Sequence, residues 1–272
     1  MKDVLTYKEF IGVIHFSSKD DMFYGKIEGI NDLVTFEGNS VSELKNSFKE
    51  AVNDYIELCQ KVNKEAAKSF KGTFMDETLK YYTENSGSYF ETTKNIVISD
   101  QIDRFLSFIK DRNETIIDLG CGSGNGLKYI IEKEYSAVGA DYSDQLISLA
   151  KKYTGAEIYN INIEDTAAVN EFIARRNIMH IFASASLLHL KKSVFIKFFN
   201  EIKFGGVFFF SLKEGCGESA DSMGRFFAYY SRREIENIVK PRFDILDITE
   251  NIDKLGRGNN WLSFIVRLKS DF

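Results

Sequence analysis

The feature that most constrains the fold of this chain is the segment TIIDLGCGSGNG at 115–126, where an apolar run leads into alternate glycines. The β-branched run at 115–119 predicts a buried strand, and the apolar spacing beyond the glycines predicts a helix near 125–133. Glycines let a backbone turn sharply and approach a ligand closely. The start of the next helix also presents unpaired N–H groups to an anion or a polar tail. The segment therefore predicts a strand, a ligand-binding loop and a helix in succession.

Strand and helix patterns alternate through the second block of the chain, which we place at 75–272. Predicted strands occupy 115–119, 136–140, 157–161, 178–183, 206–212, 243–249 and 261–268. Predicted helices occupy 99–110, 125–133, 143–152, 166–174, 192–202 and 231–239. This alternation is typical of a parallel sheet covered by helices, and the final strand pair adds an antiparallel strand. The predicted class is therefore α/β, with a Rossmann-like, mostly parallel sheet of seven strands.

The spacing of the glycines excludes two common phosphate-binding motifs. The dinucleotide fingerprint G-x-G-x-x-G fails in every register, because its third glycine would fall on Asn125, Leu127 or Tyr129. The Gly-Lys-Ser/Thr of a P-loop is also absent. The loop is therefore not predicted to hold a dinucleotide or a nucleoside triphosphate in either of these ways.

The run IIDLGCGSGNG at 116–126 instead resembles the first motif of the class I S-adenosylmethionine-dependent methyltransferases. The resemblance extends over about 78–272. It includes YYTENSGSYFETT at 81–93, LLHL at 187–190, GGVFFFSLKEG at 205–215 and GRFFAYYSRREI at 224–235, which resemble bacterial enzymes that act on small molecules. The resemblance implies a methyltransferase sheet, S-adenosyl-L-methionine as cofactor, and methyl transfer to an unidentified, small-molecule acceptor.

The same resemblance implies which residues contact the cofactor. Asp118 would attract the amino end, Asp141 would accept the ribose hydroxyl protons, and Tyr142 would cover the adenine. Asn162 and Ile163 would read the adenine edge, with Asp165 as the alternative acid. Cys121 on its own is interpreted as a small packing residue. The expected set is Tyr82, Tyr89, Thr92, Asp118, Gly120, Cys121, Gly122, Gly124, Asp141, Tyr142, Asn162, Ile163, Ala183 and Ser184.

The chemistry of the reaction suggests candidate catalytic and acceptor-binding residues. Methyl transfer from a sulfonium needs a base only when the nucleophile carries a proton that must leave, and alignment supplies much of the rate. His189 is the first candidate base and Tyr82 a second; alternatively, His189 bonds backbone at the start of a helix. Arg225 is expected to hold an anionic substrate or to pair with Glu214 or Glu218. The expected acceptor-binding set is Lys213, Glu214, Arg225, Tyr229 and Tyr230.

The sequence pattern of the first block, residues 1–74, predicts a β-β-β-α module. Strands are expected at 10–16, 22–27 and 33–37, followed by a helix over 41–63 that a capping box at Ser40 and Glu43 begins. The runs DMFYGKIEG at 21–29, DLVTFEG at 32–38 and FKG at 70–72 resemble the HicB family of antitoxins. This implies a small α+β domain, a possible HicA-like toxin partner and a homodimer through this block. It also implies an alternative function: a HicB-type regulatory binding protein whose second domain senses the cofactor.

Composition excludes several other classes. The formal net charge is −5, and acidic residues outnumber basic ones within 1–74, so binding to nucleic acid is not expected. Pro241 is the only proline, which excludes the Pro-Pro and Pro-Cys motifs of two kinds of DNA methyltransferase. The three cysteines lie far apart and form no metal-ligand spacing or disulfide framework. The sequence has no apolar run of the membrane-spanning or leader type, so we expect a cytoplasmic protein. Because no metal-ligand spacing is found, we expect no metal ion.

Overall fold

A computed structural model describes residues 4–8, 10–28, 32–61, 74–96, 98–252 and 260–270. The chain divides into two compact units, Met1–Thr73 and Phe74–Phe272. The division falls one residue before the boundary expected between 74 and 75. The closing run FKG at 70–72, the end of the helix expected at 62–63 and Gly29 lie outside the described residues.

The first unit contains an antiparallel sheet in the order β1-β2-β3-β4, with one helix packed against it. Its elements are β1 (Val4–Tyr7), β2 (Phe10–Ser17), β3 (Met22–Glu28), β4 (Thr35–Gly38) and α1 (Val41–Lys61). The sequence predicted three strands, and the structure has a fourth, β1. This strand was missed because its four residues are too few to show a clear alternation of apolar and polar side chains.

Helix α1 forms where the sequence pattern places it. The Ser40 Oγ accepts a hydrogen bond from the Glu43 N–H at 3.1 Å, and the Glu43 carboxylate accepts one from the Asn39 N–H at 3.0 Å. These bonds satisfy donors that the helix start leaves unpaired. The buried face of the helix carries apolar residues three or four positions apart, namely Leu44, Phe48, Val52, Tyr55 and Cys59.

The second unit begins with helices and continues as an alternating α/β fold. Its helices are α2 (Phe74–Glu84), α3 (Ser86–Thr93), α4 (Ser99–Leu106), α5 (Asn125–Glu132), α6 (Asp144–Thr154), α7 (Thr166–Arg176), α8 (Lys192–Glu201) and α9 (Arg232–Val239). Its strands are β5 (Thr115–Leu119), β6 (Ala137–Asp141), β7 (Ile158–Asn160), β8 (Ile178–Ala183), β9 (Val207–Lys213), β10 (Glu218–Ala220), β11 (Phe226–Ala228), β12 (Phe243–Ile252) and β13 (Asn260–Leu268). A 3₁₀ turn covers Leu187–His189.

Seven strands of this unit form one sheet in the order β12-β13-β9-β8-β5-β6-β7. The five strands from β5 to β9 are parallel, and β13 is antiparallel to both of its neighbours. This confirms the predicted Rossmann-like sheet with a terminal antiparallel strand. The chain runs from β5 outward to β7 and returns to β8, so the strand order reverses between β5 and β8. Open α/β sheets bind ligands at the carboxyl ends of the strands at such a point.

Phenylalanine side chains alternate across the sheet and fill both faces of its core. Phe208 and Phe210 of β9 belong to the larger apolar cluster on one face. Phe209, between them, faces the other side, where its ring stacks on that of Phe182 at 4.6 Å and contacts Phe105 of α4. Burial of each such ring contributes about 1.5–3 kcal/mol. The central strands are therefore rigid supports for the loops at their ends.

Within the described ranges, no helix has the length and apolar character needed to cross a membrane.

Candidate active site

The loop after β5 follows a path that only glycine allows. Gly120, Gly122 and Gly124 have φ of 80°, 53° and 79°, in the left-handed region that side chains disfavour. A Cβ on Gly120 would lie 2.3 Å from the Cβ of Ser186. The N–H of Gly120 donates to the carbonyl of Ala140 at 2.7 Å, which ties the loop to β6. The loop is thus closely fitted between the ends of two strands.

Asp141, at the end of β6, holds the loop from the other side. Its Oδ2 accepts a hydrogen bond from the Gly122 N–H at 2.9 Å, and its Oδ1 accepts from the N–H groups of Tyr142 and Ser143 at 2.8 and 3.0 Å. Burial raises the pKa of this carboxyl, against the lowering by those three N–H groups. A carboxylate offers about four lone-pair positions. The three N–H groups occupy three of these positions, so Asp141 retains about one for a ligand hydroxyl. The sequence had predicted that it accepts hydrogen bonds from both ribose hydroxyls.

Asp118, at the end of β5, is a buried carboxyl that lines the same cavity, with 3% of its surface exposed. Burial, and next the charge of Asp141, raise the pKa of Asp118 to about 7. A group with cationic N–H donors placed beside it would favour the ionised form. Asp118 is therefore suited to receive an ammonium group.

We expect Asp118→Asn to stabilise the ligand-free protein at pH 8 and not at pH 4. Between about pH 4 and 7 the folded state retains a proton that the unfolded state has lost, so stability falls as pH rises through this window. Replacing the carboxyl removes this pH-dependent loss of stability, which is about 4 kcal/mol at pH 8. Urea unfolding at both pH values measures the difference. A difference between variant and wild type that does not change with pH would contradict the assignment.

The loop opens onto a cleft with two connected lobes. The first lobe has a volume of about 240 Å³ and the second about 70 Å³. Six residues line both lobes: Tyr82, Tyr89, Gly120, Gly122, Ala185 and His189. The second lobe adds Asp141, Tyr142, Leu146 and Ile163, which surround a partly apolar space beside a carboxylate. The first lobe extends past Asp118 toward the ends of β9 and β13.

Helices α2 and α3 cover part of the cleft. The ring of Tyr89 lies over the glycine loop, where a Cβ on Gly122 would be 3.4 Å from it, and it packs against Tyr82 with 4.9 Å between ring centroids. The segment after α3 is fastened to the loop by Asn125, whose side-chain amide donates to the carbonyls of Thr93 and Ile96 at 3.2 and 3.0 Å. These hydrogen bonds hold the glycine loop against helices α2 and α3, which we call the lid.

His189 and Tyr82 form a buried hydrogen-bonded pair between the lobes. The Nδ1–H of His189 donates to the Phe226 carbonyl at 2.6 Å, which leaves Nε2 as the acceptor of the Tyr82 O–H at 3.0 Å. Burial lowers the pKa of His189 to about 4, so its ring is neutral at pH 7. Burial raises the pKa of Tyr82, although Arg225, which hydrogen-bonds to it, acts in the opposite direction.

Two cationic side chains lie at the far end of the first lobe. The Lys213 Nζ is 3.8 Å from the ring centroid of Phe227, and the Arg225 guanidinium is 5.3 Å from the same centroid. Arg225 is oriented by Asp221, which accepts hydrogen bonds from its Nε and Nη2 at 2.9 and 2.6 Å. Trp261 completes this end. The arrangement combines positive charge with flat apolar walls.

The structure brings most of the expected residues to the cleft. Those that line it are Tyr82, Tyr89, Asp118, Gly120, Cys121, Gly122, Asp141, Tyr142, Ile163, Ser184, His189, Lys213 and Arg225. The thiol of Cys121 is buried, and a Cβ on Gly139 would lie 3.1 Å from it. This close packing is consistent with the interpretation of Cys121 as a packing residue. Burial raises the pKa of this thiol well above its ordinary value.

Four residues expected to bind the cofactor do not line either lobe. Helical periodicity turns Thr92 outward, where its hydroxyl donates to the carbonyls of Ser88 and Tyr89, whereas Thr93 lines the cleft. Strand alternation points Ala183 into the core between two lining residues.

The other two of these four residues lie in loops. The Asn162 side chain accepts a hydrogen bond from the Glu164 N–H at 2.9 Å and shapes its own turn. A Cβ on Gly124 would meet Thr154 at 2.8 Å, so this glycine allows packing against α6 and is not among the residues that line the cleft.

Three residues expected to bind the acceptor also lie outside the lobes. Glu214 is exposed beyond the end of β9, and Tyr229 is half-buried beside Gly215. Tyr230 is fully buried in the core, with its ring 4.8 Å from that of Phe195. Arg225 forms its ion pair with Asp221, and not with Glu214 or Glu218 as expected.

Several residues that line the cleft were not predicted from the sequence. They include Gln101, Asn125, Ser211 and Trp261. For Trp261, the signal available was that it is the single tryptophan and begins a predicted strand, which could have marked it as a candidate site residue. Ala185 has a φ of 55°, and Ser186 donates to the Leu119 carbonyl at 2.7 Å. Neither backbone conformation nor a contact across two strand ends can be read from spacing alone.

The residues present fit S-adenosylmethionine. The glycine loop leaves a cradle that a Cβ at position 120 would fill. The second lobe pairs a carboxylate with apolar walls, as a ribose and an adenine require. The acceptors that line the first lobe include the Asp118 carboxyl and the Oε1 of Gln101, which has no hydrogen-bond partner among the described residues. Both suit an ammonium group. Asp141, Tyr142 and Ile163 would hold the nucleoside, and Asp118 the amino end.

Residues 116–204 match the sequence model of the methyltransferase domain family. No curated protein matches the chain with significance. Two examples represent the solved structures that share the fold. An S-adenosylmethionine-dependent methyltransferase from Anabaena variabilis ATCC 29413 is 15% identical, with a TM-score of 0.58 over 71% of this chain and 94% of the other.

The second is the 1,6-didemethyltoxoflavin-N1-methyltransferase of Burkholderia thailandensis, with bound 1,6-didemethyltoxoflavin and S-adenosylhomocysteine. It is 13% identical, with a TM-score of 0.57 over 72% of this chain and 89% of the other. The family match covers residues 116–204, and the two structures show that the second unit has the fold of these methyltransferases.

Proposed function

We propose that this protein methylates a small molecule that carries an anionic group. The observation that supports this most is that the cofactor cradle and the Lys213–Arg225 end belong to one cavity of about 240 Å³. A cavity of this size, which the cofactor must share, leaves room for a small acceptor only. The two cations favour an anion, and Asp118 is the one acidic residue among those that line the first lobe.

The walls of the first lobe support transfer of a methyl group. The bound cofactor supplies an electrophilic methyl on a sulfonium. Phe182, Leu188, Phe227 and Trp261 surround the space with apolar surface, which excludes water and favours an aligned displacement. The chain's contribution is therefore mainly alignment and desolvation.

Tyr82 and His189 are the groups proposed to remove a proton from the acceptor. The Tyr82 oxygen would receive the acceptor's proton while its own proton passes to Nε2 of His189, the nitrogen that already accepts the Tyr82 O–H. The low pKa of His189 makes this step unfavourable at equilibrium, so the pair suits an acceptor whose proton leaves as the new bond forms.

We expect Tyr82→Phe to lower kcat by about 100-fold and to change KM for the cofactor less than about threefold, as loss of a general base does. Tyr129→Phe is the matched control, because Tyr129 also bonds a neighbouring side chain, Asp103, and lines neither lobe. Transfer of a radiolabelled methyl group measures the rates. Equal kcat for Tyr82→Phe and wild type would show that the acceptor arrives deprotonated and that the pair only holds the lid.

The experiment that tests the function has two stages. Calorimetry with S-adenosylhomocysteine measures cofactor binding by the full chain. Radiolabelled methyl transfer is then measured against a panel of small hydroxy, phenolic and amino acids, each paired with its uncharged ester or amide. We expect the acids to be preferred, and Lys213→Met to reduce that preference. No binding of S-adenosylhomocysteine would refute the function, and equal use of acids and esters would refute the anionic acceptor.

For the first unit we propose a HicB-like module that forms a homodimer. Its four-stranded sheet has β1 and β4 at its edges in the described part of the chain, and sheet edges are common sites of pairing between copies. Tyr24 and Phe16 are exposed on this sheet, and His15 stacks on Tyr24 at 5.4 Å. A HicA-like toxin is an alternative partner of the same module. Light scattering by the full chain should give the dimer mass, and a monomer would refute the proposal.

A further inference from the structure

We infer that Gln101 is a cofactor-binding residue whose side-chain carbonyl accepts a hydrogen bond from the α-ammonium group of the methionine part of S-adenosylmethionine. The inference rests on the proposed function, because it assigns a contact to the cofactor of that reaction. It adds a residue that no feature of the glycine loop or of the strand ends indicates.

The first reason is an unpaired polar atom. Gln101 lines the first lobe, and its Oε1 is buried without a hydrogen-bond partner among the described residues. Leaving a buried acceptor unpaired costs about 1–3 kcal/mol, and most such atoms in proteins have a partner. Within the described ranges, three other buried side-chain oxygens are unpaired, those of Thr166, Tyr230 and Ser263, and these residues line neither lobe. Only that of Gln101 belongs to a residue of the cleft.

The second reason is a link between Gln101 and Asp118 through Ile98. The site that a Cβ on Gly126 would occupy lies 3.3 Å from Oδ2 of Asp118 and 3.4 Å from Cδ1 of Ile98, so Ile98 and Asp118 flank the same point. Gln101 follows Ile98 by three residues, about one helical turn, at the start of α4. All three residues line the first lobe. Ile98 thus connects the start of α4, which carries Gln101, to the part of the lobe that Asp118 lines.

The third reason is the chemistry of the two groups. A carboxyl and an amide oxygen are both acceptors, so their common ligand must carry several donors. An ammonium group carries three N–H donors and a positive charge, which also favours the ionised form of Asp118. A hydroxyl offers one donor and a carboxylate none. Of the groups on S-adenosylmethionine, the α-ammonium is the one that combines several N–H donors with a positive charge.

Calorimetry with two ligands tests the inference. S-Adenosylhomocysteine carries the amino group, and 5′-methylthioadenosine lacks the whole aminocarboxypropyl chain. We expect Gln101→Leu to weaken S-adenosylhomocysteine binding about 10- to 100-fold, as loss of a hydrogen bond to a charged group does. Binding of 5′-methylthioadenosine should change less than about twofold, which also shows that the variant is folded. Gln101→Glu, which keeps an acceptor oxygen, should bind S-adenosylhomocysteine within about threefold of wild type.

Two further variants complete the experiment. Gln101→Met replaces Gln101→Leu if the latter does not fold. Gln145→Leu is the matched control, because Gln145 is exposed on α6 and lines neither lobe; its affinities should equal those of wild type. If wild type binds S-adenosylhomocysteine and the Leu and Met variants bind it equally well, or if they lose both ligands equally while remaining folded, the inference is overturned and the proposed function stands. Failure of wild type to bind would refute both.

Discussion

Gly120→Ala is expected to reduce the affinity for S-adenosylhomocysteine by at least about 100-fold and to destabilise the protein by about 3 kcal/mol or more. Two effects combine at this position. Gly120 has a φ of 80°, which costs an L-residue about 1–2 kcal/mol. The new Cβ would also lie 2.3 Å from the Cβ of Ser186, far inside van der Waals contact. Either the loop or the end of β8 must move, and both line the cleft.

A matched glycine separates strain from steric exclusion. Gly155 has a similar φ of 71°, but no atom lies within 4 Å of the position its Cβ would take. Gly155→Ala should therefore cost about 1–2 kcal/mol of stability from backbone strain alone and leave S-adenosylhomocysteine binding unchanged. Urea unfolding and calorimetry on both variants give the comparison. Equal loss of affinity in the two variants would contradict the account.

The contact with Ser186 can be tested directly by a double substitution. Ser186→Gly removes the atom that the new Cβ would meet, at the cost of the hydrogen bond from Ser186 to the Leu119 carbonyl. We expect Gly120→Ala to be better tolerated in the Ser186→Gly background, so that the two substitutions are not additive. Additive losses would show that backbone strain, and not the contact, decides the effect.

Local patterns predicted much of the fold of the second unit because most of its signals are local. Apolar runs such as TIIDL identify strands, and capping residues such as Ser143 and Ser231 begin helices where the pattern places them. The glycine loop is also local, since its conformation depends on the residues that form it. The four-residue strand β1 has too few positions for a period to appear, and it was missed.

Positions in the cleft were predicted less well where orientation depends on packing. Thr92 and Thr93 are adjacent and chemically identical, and only the phase of α3 decides that Thr93 lines the cleft. In the same way, the phase of β8 decides that Ser184 faces the ligand and Ala183 the core. Gln101 lies before the glycine loop in sequence and reaches the site only through the packing of α4. No spacing rule connects such residues.

Asp141→Ala is expected to have the second large effect, a loss of about 3–5 kcal/mol in stability and of at least 100-fold in S-adenosylhomocysteine affinity. The carboxylate accepts hydrogen bonds from the N–H groups of Gly122, Tyr142 and Ser143. Each charge-assisted bond of this kind contributes about 1.5–3 kcal/mol, and the partners are left unpaired when it is removed. Because Gly122 belongs to the glycine loop and Tyr142 lines the second lobe, both the cradle and the nucleoside space change together.

Asp165 supplies the control, since it is also an acid that follows a strand of the same sheet. Its Oδ1 accepts a hydrogen bond from the Ala168 N–H at 3.0 Å and caps α7, and it lines neither lobe. Asp165→Ala should therefore cost about 1 kcal/mol, as loss of a helix cap does, with cofactor affinity unchanged. Asp141→Asn keeps one acceptor oxygen and should fall between Asp141→Ala and wild type in both measurements. If Asp165→Ala weakens S-adenosylhomocysteine binding as much as Asp141→Ala, then general stability, and not a contact of Asp141 with the ligand, controls binding.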